Sequence, residues 1–278
     1  MNEKPGRISA VNKLLLTLMA VLKLVIFLIG TLVLIVVHTI WYILTRRLDI
    51  TMWFHKFCCL VFNIKIHIKG ESAHKRNNPV IYLCNHVSYL DIIILGSILD
   101  GCFVAKSEVS KWPGFGFLAK LQKTIFIVRE KSALFESRTA IANAMNKDHD
   151  IILFPEGTST DGYNVMQFKA GLLGIFFPDE KGSGGNHNII DNALVQPVAI
   201  KHIMTDGVDV TADRRDLRDL YAWYGDMELA PHLWQFAHTR RTDVEVHMLA
   251  PLSTNDFVHR FDIANAAQER VAKALKNP

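Results

Sequence analysis

The 278-residue chain is 50% hydrophobic and 21% charged, a balance that excludes a disordered polypeptide and leaves enough apolar mass for a sizeable core. Its formal charge of +4 favours anionic surfaces only weakly. With no RNP signature, zinc-finger spacing or basic zipper in the sequence, nucleic acid is not expected as a partner.

Residues 24–44, LVIFLIGTLVLIVVHTIWYIL, carry no formal charge and are long enough to cross about 30 Å of hydrocarbon as a helix. The stretch is too long for a removable signal peptide and lacks a small-residue cleavage site. Lys13 and Lys23 precede it, and Arg46 and Arg47 follow. Both flanks thus favour the cytoplasmic side, so a re-entrant hairpin stands beside a simple span. In the hairpin, residues 14–22 form the first arm, Lys23 snorkels to the headgroups, and Gly30 or Trp41 lies near a bend or interface. A membrane-proximal helix at about 49–62 completes an N-terminal segment, 1–62, ahead of a single larger domain at 63–278.

The period-two run NIKIHIKG reads as a strand ending at Gly70, and ESAHKRNNP as a turn. PVIYLCN suits a buried strand, and NHVSYLD then leads into an apolar helix reaching about Leu99. CFVAK and TIFIVR are short strands. SALFESRTAIANAMNK is a helix with Leu134, Ile141 and Met145 on one face, followed by the strand DIIL. A glycine-rich KGSGGNHN insert, the strands NALVQPVAI and RTDVEVHML, and an amphipathic helix at 262–276 close the chain. The DRRDLRDLYAWYGDMELAPHLW stretch mixes charge with aromatics and has no clear period. The alternation predicts an α/β fold: a mixed, largely parallel sheet flanked by helices, carrying an N-terminal membrane helix or hairpin. Cys58, Cys59, Cys84 and Cys102 form no CxxC pair or regular framework, and read as buried small hydrophobes of a reduced, cytosol-facing domain.

Four places after predicted strands carry chemistry, where an α/β sheet sets its site at the carboxyl edge. Asn85, His86 and Asp91 come first: histidine has the pKa to deprotonate an alcohol, and an acid five residues on can accept its other N–H if the chain turns between them. Arg129, ending TIFIVR, and Lys106, ending CFVAK, can hold a phosphate or a developing oxyanion. FPEGTS supplies a tight turn at Pro155 and Gly157, the acid Glu156, and the hydroxyls of Thr158 and Ser159. In VQPVAI, Pro197 either lines an acyl pocket or marks an edge or bulge. Each place alone equally fits a loop histidine, a solvated strand end or an ordinary turn. No GxSxG, HExxH or P-loop occurs, and the twelve histidines are too scattered for a metal site, so no metal is expected.

Taken in order, NHVSYLD, TIFIVR, FPEGTS and VQPVAI resemble the four sequence blocks of the glycerolipid acyltransferase family that includes 1-acylglycerol-3-phosphate acyltransferases, over roughly residues 75–200. The resemblance implies His86 as general base and Asp91 as its orienting partner. It also implies a substrate site made of Asn85, Lys106, Arg129, Glu156, Gly157, Thr158 and Ser159. The implied reaction moves a fatty acyl group from acyl-CoA or acyl carrier protein, as co-substrate, to a lysolipid hydroxyl at the bilayer, with no cofactor. The implied location is the bacterial inner membrane, the catalytic domain facing the cytoplasm. 1-Acylglycerol-3-phosphate is the first acceptor it suggests. Yet EGTSTDG lacks the basic residue common after EGT in phosphate-acceptor members, and with AWYGDMELAPHLW it looks like a bacterial branch that includes lyso-ornithine lipid acyltransferases. A membrane-anchored lipid-binding module without activity is the non-enzymatic alternative.

Overall fold

The computed structural model describes residues 10–45, 51–76, 78–128, 130–177, 190–211 and 215–276. α1 (Ala10–Thr45) runs straight through Lys23 and Gly30, with no proline to break it. The bend expected near Gly30 is absent. α2 (Thr51–Phe62) lies antiparallel to α1, so that Phe27 meets Phe62 and His38 lies beside Thr51. Gly30 serves this packing instead: a Cβ there would stand 2.1 Å from Phe57 Cζ. Lys23 does not snorkel; its ammonium donates to the Thr239 carbonyl at 2.5 Å.

β1 (Ile64–Lys69) and β2 (Val80–Cys84) are followed by α3 (Leu90–Ile98), β3 (Gly101–Lys106), α4 (Phe115–Leu121) and β4 (Ile125–Ile127). Next come α5 (Leu134–Met145), β5 (Asp150–Leu153), β6 (Leu194–Thr205) and β7 (Val208–Asp209). The chain ends with α6 (Arg215–Arg218), α7 (Leu229–Ala237), β8 (Thr242–Met248), β9 (Leu252–Ser253) and α8 (Arg260–Lys276). The aromatic-rich stretch without a clear period therefore holds α6 and α7. Pro231 is tolerated in α7 because it falls in the first turn, where its missing N–H has no partner to lose.

The strands form one mixed sheet in the order β1-β8-β6-β2-β5-β3-β4. β6, β2, β5, β3 and β4 are mutually parallel, while β8 runs antiparallel to β6. Their carboxyl ends consequently share one edge. Strand alternation splits the core in two. Val80, Tyr82 and Cys84 join Val198 and Ile200 on the face covered by α2, α3 and α7, while Ile81 and Leu83 join Val195 and Ala199 under α5 and α8. Both faces are covered, which is why VIYLC is apolar throughout rather than alternating.

Pro197 sits in the central strand β6, not at an edge. Its carbonyl accepts from Leu249 N (3.1 Å), so its missing N–H faces the break between β8 and β9, where no ladder bond is lost. Its parity puts it on the face away from α3, and so away from the helix that carries Asp91.

Gln196 closes the same break: Oε1 accepts from Ala73 N (2.7 Å), and Nε2 donates to the carbonyls of Glu71 (2.8 Å) and Leu249 (3.0 Å). Gln196→Leu would strand three backbone groups. The thermal midpoint of the full chain in detergent, followed by far-UV circular dichroism, should fall by about 10 °C. An unchanged midpoint would contradict this role.

Candidate active site

The segment between β2 and α3 crosses the carboxyl edge of the sheet. Asn85 splices its start to β6: the amide donates to Ile200 O (3.0 Å) and its oxygen accepts from Ile200 N (2.8 Å). Asp91 lies in the first turn of α3, where the helix dipole favours a carboxylate. Its Oδ2 accepts three N–H groups: Val87 N at 2.6 Å, Ser88 N at 2.9 Å and His86 Nδ1 at 2.9 Å. The side chain is 0% exposed. Burial alone would raise its pKa, but His202 and His86 outweigh that and hold the carboxyl well below the usual range.

An ionised carboxylate can only accept, so His86 Nδ1 must be the N–H. The neutral ring then carries its lone pair on Nε2. That nitrogen has no hydrogen-bond partner among the described residues, and the side chain retains 17% exposure. Phe154, at the end of β5, stacks on the imidazole with centroids 4.0 Å apart and an interplanar angle of 17°, fixing the ring plane. A histidine so held presents an oriented base toward the edge where the strands end.

The FPEG turn serves the same loop. Glu156 is buried, and its oxygens accept from His86 N (2.7 Å) and Met166 N (2.8 Å). Burial raises its pKa, although both amides and the neighbouring His86 pull the other way. Gly157 is left-handed at φ 77°, and a Cβ there would stand 2.7 Å from Lys169 Nζ. Asn85 and Glu156, expected at the substrate, thus have their polar atoms engaged with backbone and act as clamps. Thr158 is exposed and Ser159 half-buried beyond the turn. Lys106 is exposed at the end of β3, two strands from β2. Arg129 lies outside the described residues.

Three further partners of this loop lie outside the residues singled out in the sequence. Thr160 N and Oγ1 donate to the His86 carbonyl (2.9 and 3.3 Å), and Trp223 N donates to the Val87 carbonyl (2.9 Å). His202 of β6 approaches Asp91 from behind. Thr160 directly follows FPEGTS and so was within reach of that motif. Trp223 and His202 are distant in sequence, and only the sheet order brings them in.

Residues 65–201 match the acyltransferase family. The chain is 33% identical to a lyso-ornithine lipid O-acyltransferase from Brucella abortus (strain 2308), over 81% of each chain. It is 30% identical to one from Rhizobium meliloti (strain 1021), over 86% of this chain and 78% of the other. A 1-acyl-sn-glycerol-3-phosphate acyltransferase from Neisseria gonorrhoeae is 24% identical, over 73% and 71%. Among solved structures, the 1-acyl-sn-glycerophosphate acyltransferase PlsC from Thermotoga maritima superposes with a TM-score of 0.61 at 20% identity, covering 96% of this chain and 95% of that one.

If Glu156 clamps the loop, Glu156→Gln leaves one of the two amides facing an NH2 group instead of an acceptor. Amide hydrogen exchange at His86 or Met166 should then accelerate by at least about tenfold, with little change in the sheet. Unaltered exchange at both would show that the loop does not depend on this carboxylate.

Proposed function

The chain belongs to the acyltransferase family, and we propose that it is a membrane-bound O-acyltransferase that moves a fatty acyl group from a thioester donor to the free hydroxyl of lyso-ornithine lipid. The carrying observation is the oriented imidazole: Nδ1 is tied to a buried carboxylate, and among the described residues Nε2 is spent on no protein hydroxyl or thiol. This favours proton removal from the substrate itself over activation of a protein nucleophile.

In this reading the acceptor hydroxyl gives its proton to His86 Nε2 as its oxygen attacks the thioester carbonyl. Asp91 stabilises the imidazolium that forms. The tetrahedral intermediate collapses by breaking the C–S bond, and the leaving thiolate takes the proton back from His86 Nε2. Lys106 and the hydroxyls of Thr158 and Ser159, at the same sheet edge, are the groups we assign to the oxyanion and the polar part of the substrates. Arg129, two residues past β4, is assigned with them. The donor is acyl-CoA or acyl carrier protein, and no cofactor enters the scheme.

Acceptor identity separates two readings. 1-Acylglycerol-3-phosphate is the first that the motif blocks suggest, but the relatives named for lyso-ornithine lipid align over more of the chain, and those from Brucella abortus and Rhizobium meliloti do so at higher identity than the 1-acyl-sn-glycerol-3-phosphate acyltransferase from Neisseria gonorrhoeae. The turn after FPEGTS supports the same choice. Asp161 stands where a cation would suit a phosphate, and it is fixed there by accepting from Tyr163 N (3.0 Å). A carboxylate suits an amine-bearing headgroup.

α1 supports attachment to the bilayer: it is 36 residues long, and its Leu, Val and Ile side chains away from α2 and α7 are exposed. We place the catalytic domain on the cytoplasmic side of a bacterial inner membrane, where four unpaired cysteines suit a reducing compartment.

His86→Ala should lower acyl transfer by about 100-fold or more while the protein still sediments with membranes. Substantial transfer by this variant would remove the proposed base. Supplied with a palmitoyl thioester and equal amounts of lyso-ornithine lipid and lysophosphatidic acid, the purified chain should acylate the former at least about tenfold faster, a difference of 1.4 kcal/mol at the transition state. The reverse ranking restores the phosphate-bearing acceptor.

A further inference from the structure

Asp91 presents only one of its two oxygens to the loop. Oδ2 takes three N–H groups, while Oδ1 has no hydrogen-bond partner among the described residues although the whole side chain is buried. The polar atom facing it is His202 Nε2, at 3.8 Å. That separation exceeds a hydrogen bond and is too short to admit a water between, so a small closure would make the contact direct.

His202 is itself anomalous. Its side chain is 1% exposed, and neither ring nitrogen has a hydrogen-bond partner among the described residues. The ring lies flat on Tyr221, with centroids 4.1 Å apart and an interplanar angle of 12°. A phenylalanine would stack equally well there without leaving two polar nitrogens unsatisfied in the core. β6 aims the side chain. His202 follows Val198 and Ile200 on the α3 face, and the pairing of β6 with β8 slips between His202 and Met204, a bulge of the kind that re-aims side chains beside sites.

We propose that His202 is a positioning residue for the His86–Asp91 pair: its Nε2–H holds Asp91 Oδ1, so that the carboxylate cannot rotate and Oδ2 stays on His86 Nδ1. Three groups then form a line, His202 to Asp91 to His86, crossing from β6 to the loop after β2. The inference rests on His86 as the base, and gives that base a second tether that the four motif blocks do not contain. His202 touches neither substrate in this arrangement.

Two substitutions separate this role from plain packing. His202→Phe keeps the stacked ring and loses the donor, whereas His202→Gln loses the ring and keeps an N–H near the position of Nε2. If His202 positions Asp91, His202→Phe lowers kcat about tenfold with KM for both substrates within about twofold, and His202→Gln retains kcat within about threefold. In an Asp91→Asn background, His202→Phe adds no further loss, because its effect runs through the missing carboxylate. Wild-type kcat in His202→Phe, or additive losses in the double variant, overturns the proposal. Should His202→Phe fail to fold, His202→Gln alone decides: a folded glutamine variant that has lost more than about tenfold in kcat shows that the ring, not the donor, matters. A His86→Ala control keeps the two readings apart. Transfer surviving there removes the base, while an inactive His86→Ala beside an unimpaired His202→Phe removes only the positioning role.

Discussion

A buried carboxylate with too few donors is among the most costly things a fold can contain, and Asp91 is the place where this chain meets that constraint. The solution is local on one side: three N–H groups from His86, Val87 and Ser88 converge on Oδ2 at the start of α3. Such convergence requires the chain to turn tightly between β2 and α3, and the turn points the imidazole out over the sheet edge. Removing the carboxylate would therefore undo the loop conformation, the tautomer of His86 and the helix start together.

The other blocks make sense from this point outward. The loop offers backbone groups as well as side chains, and segments from elsewhere in the chain take them up. Glu156 and Thr160 hold the N–H and carbonyl of His86, Trp223 holds the carbonyl of Val87, and Asn85 ties the loop's first residue to β6. A sequence in which NHVSYLD and FPEGTS occur together is thus one in which the base and its scaffold occur together. The glutamate supports the histidine through the main chain, which the spacing of the motifs does not reveal.

This explains how much was legible in the sequence. VIYLC is an unbroken apolar run, DIIL is apolar after Asp150, and NALVQPVAI is apolar but for Asn192 and Gln196, so their place in the covered centre of a parallel sheet follows from composition. The reversal of β8 relative to β6 is not encoded in either strand, since each is equally apolar in both directions. His86 and Asp91 are five residues apart and meet within one turn, which a local pattern can show. His202 lies more than a hundred residues away, and its approach to Asp91 depends on β6 being the neighbour of β2 and on the side to which its alternation turns. Asn85 and Glu156 were readable as members of the site, but not as backbone clamps, because a carboxylate near a base looks the same in sequence whether it faces a ligand or an amide.

The N-terminal helices belong to the same argument. A boundary after residue 62 suggests an anchor joined to an independent domain, yet Ala20, Cys59 and Phe62 lie in the same core as Tyr82, Leu90 and Phe236, and Lys23 donates to a carbonyl beyond α7. Rings carry the contact inward: His55 of α2 lies 6.3 Å from Phe103, Phe103 lies 6.3 Å from Phe154, and Phe154 stacks on His86. Burial holds the pKa of His55 down at about 4, so it stays neutral; its Nε2 bonds Gln122 Oε1 (3.0 Å) while its ring joins this series. An α1 that merely tethered the enzyme would need none of these contacts. Because α1 supplies part of the floor beneath the sheet, its exposed apolar surface and the Phe154 ring that stacks on His86 belong to one continuous core.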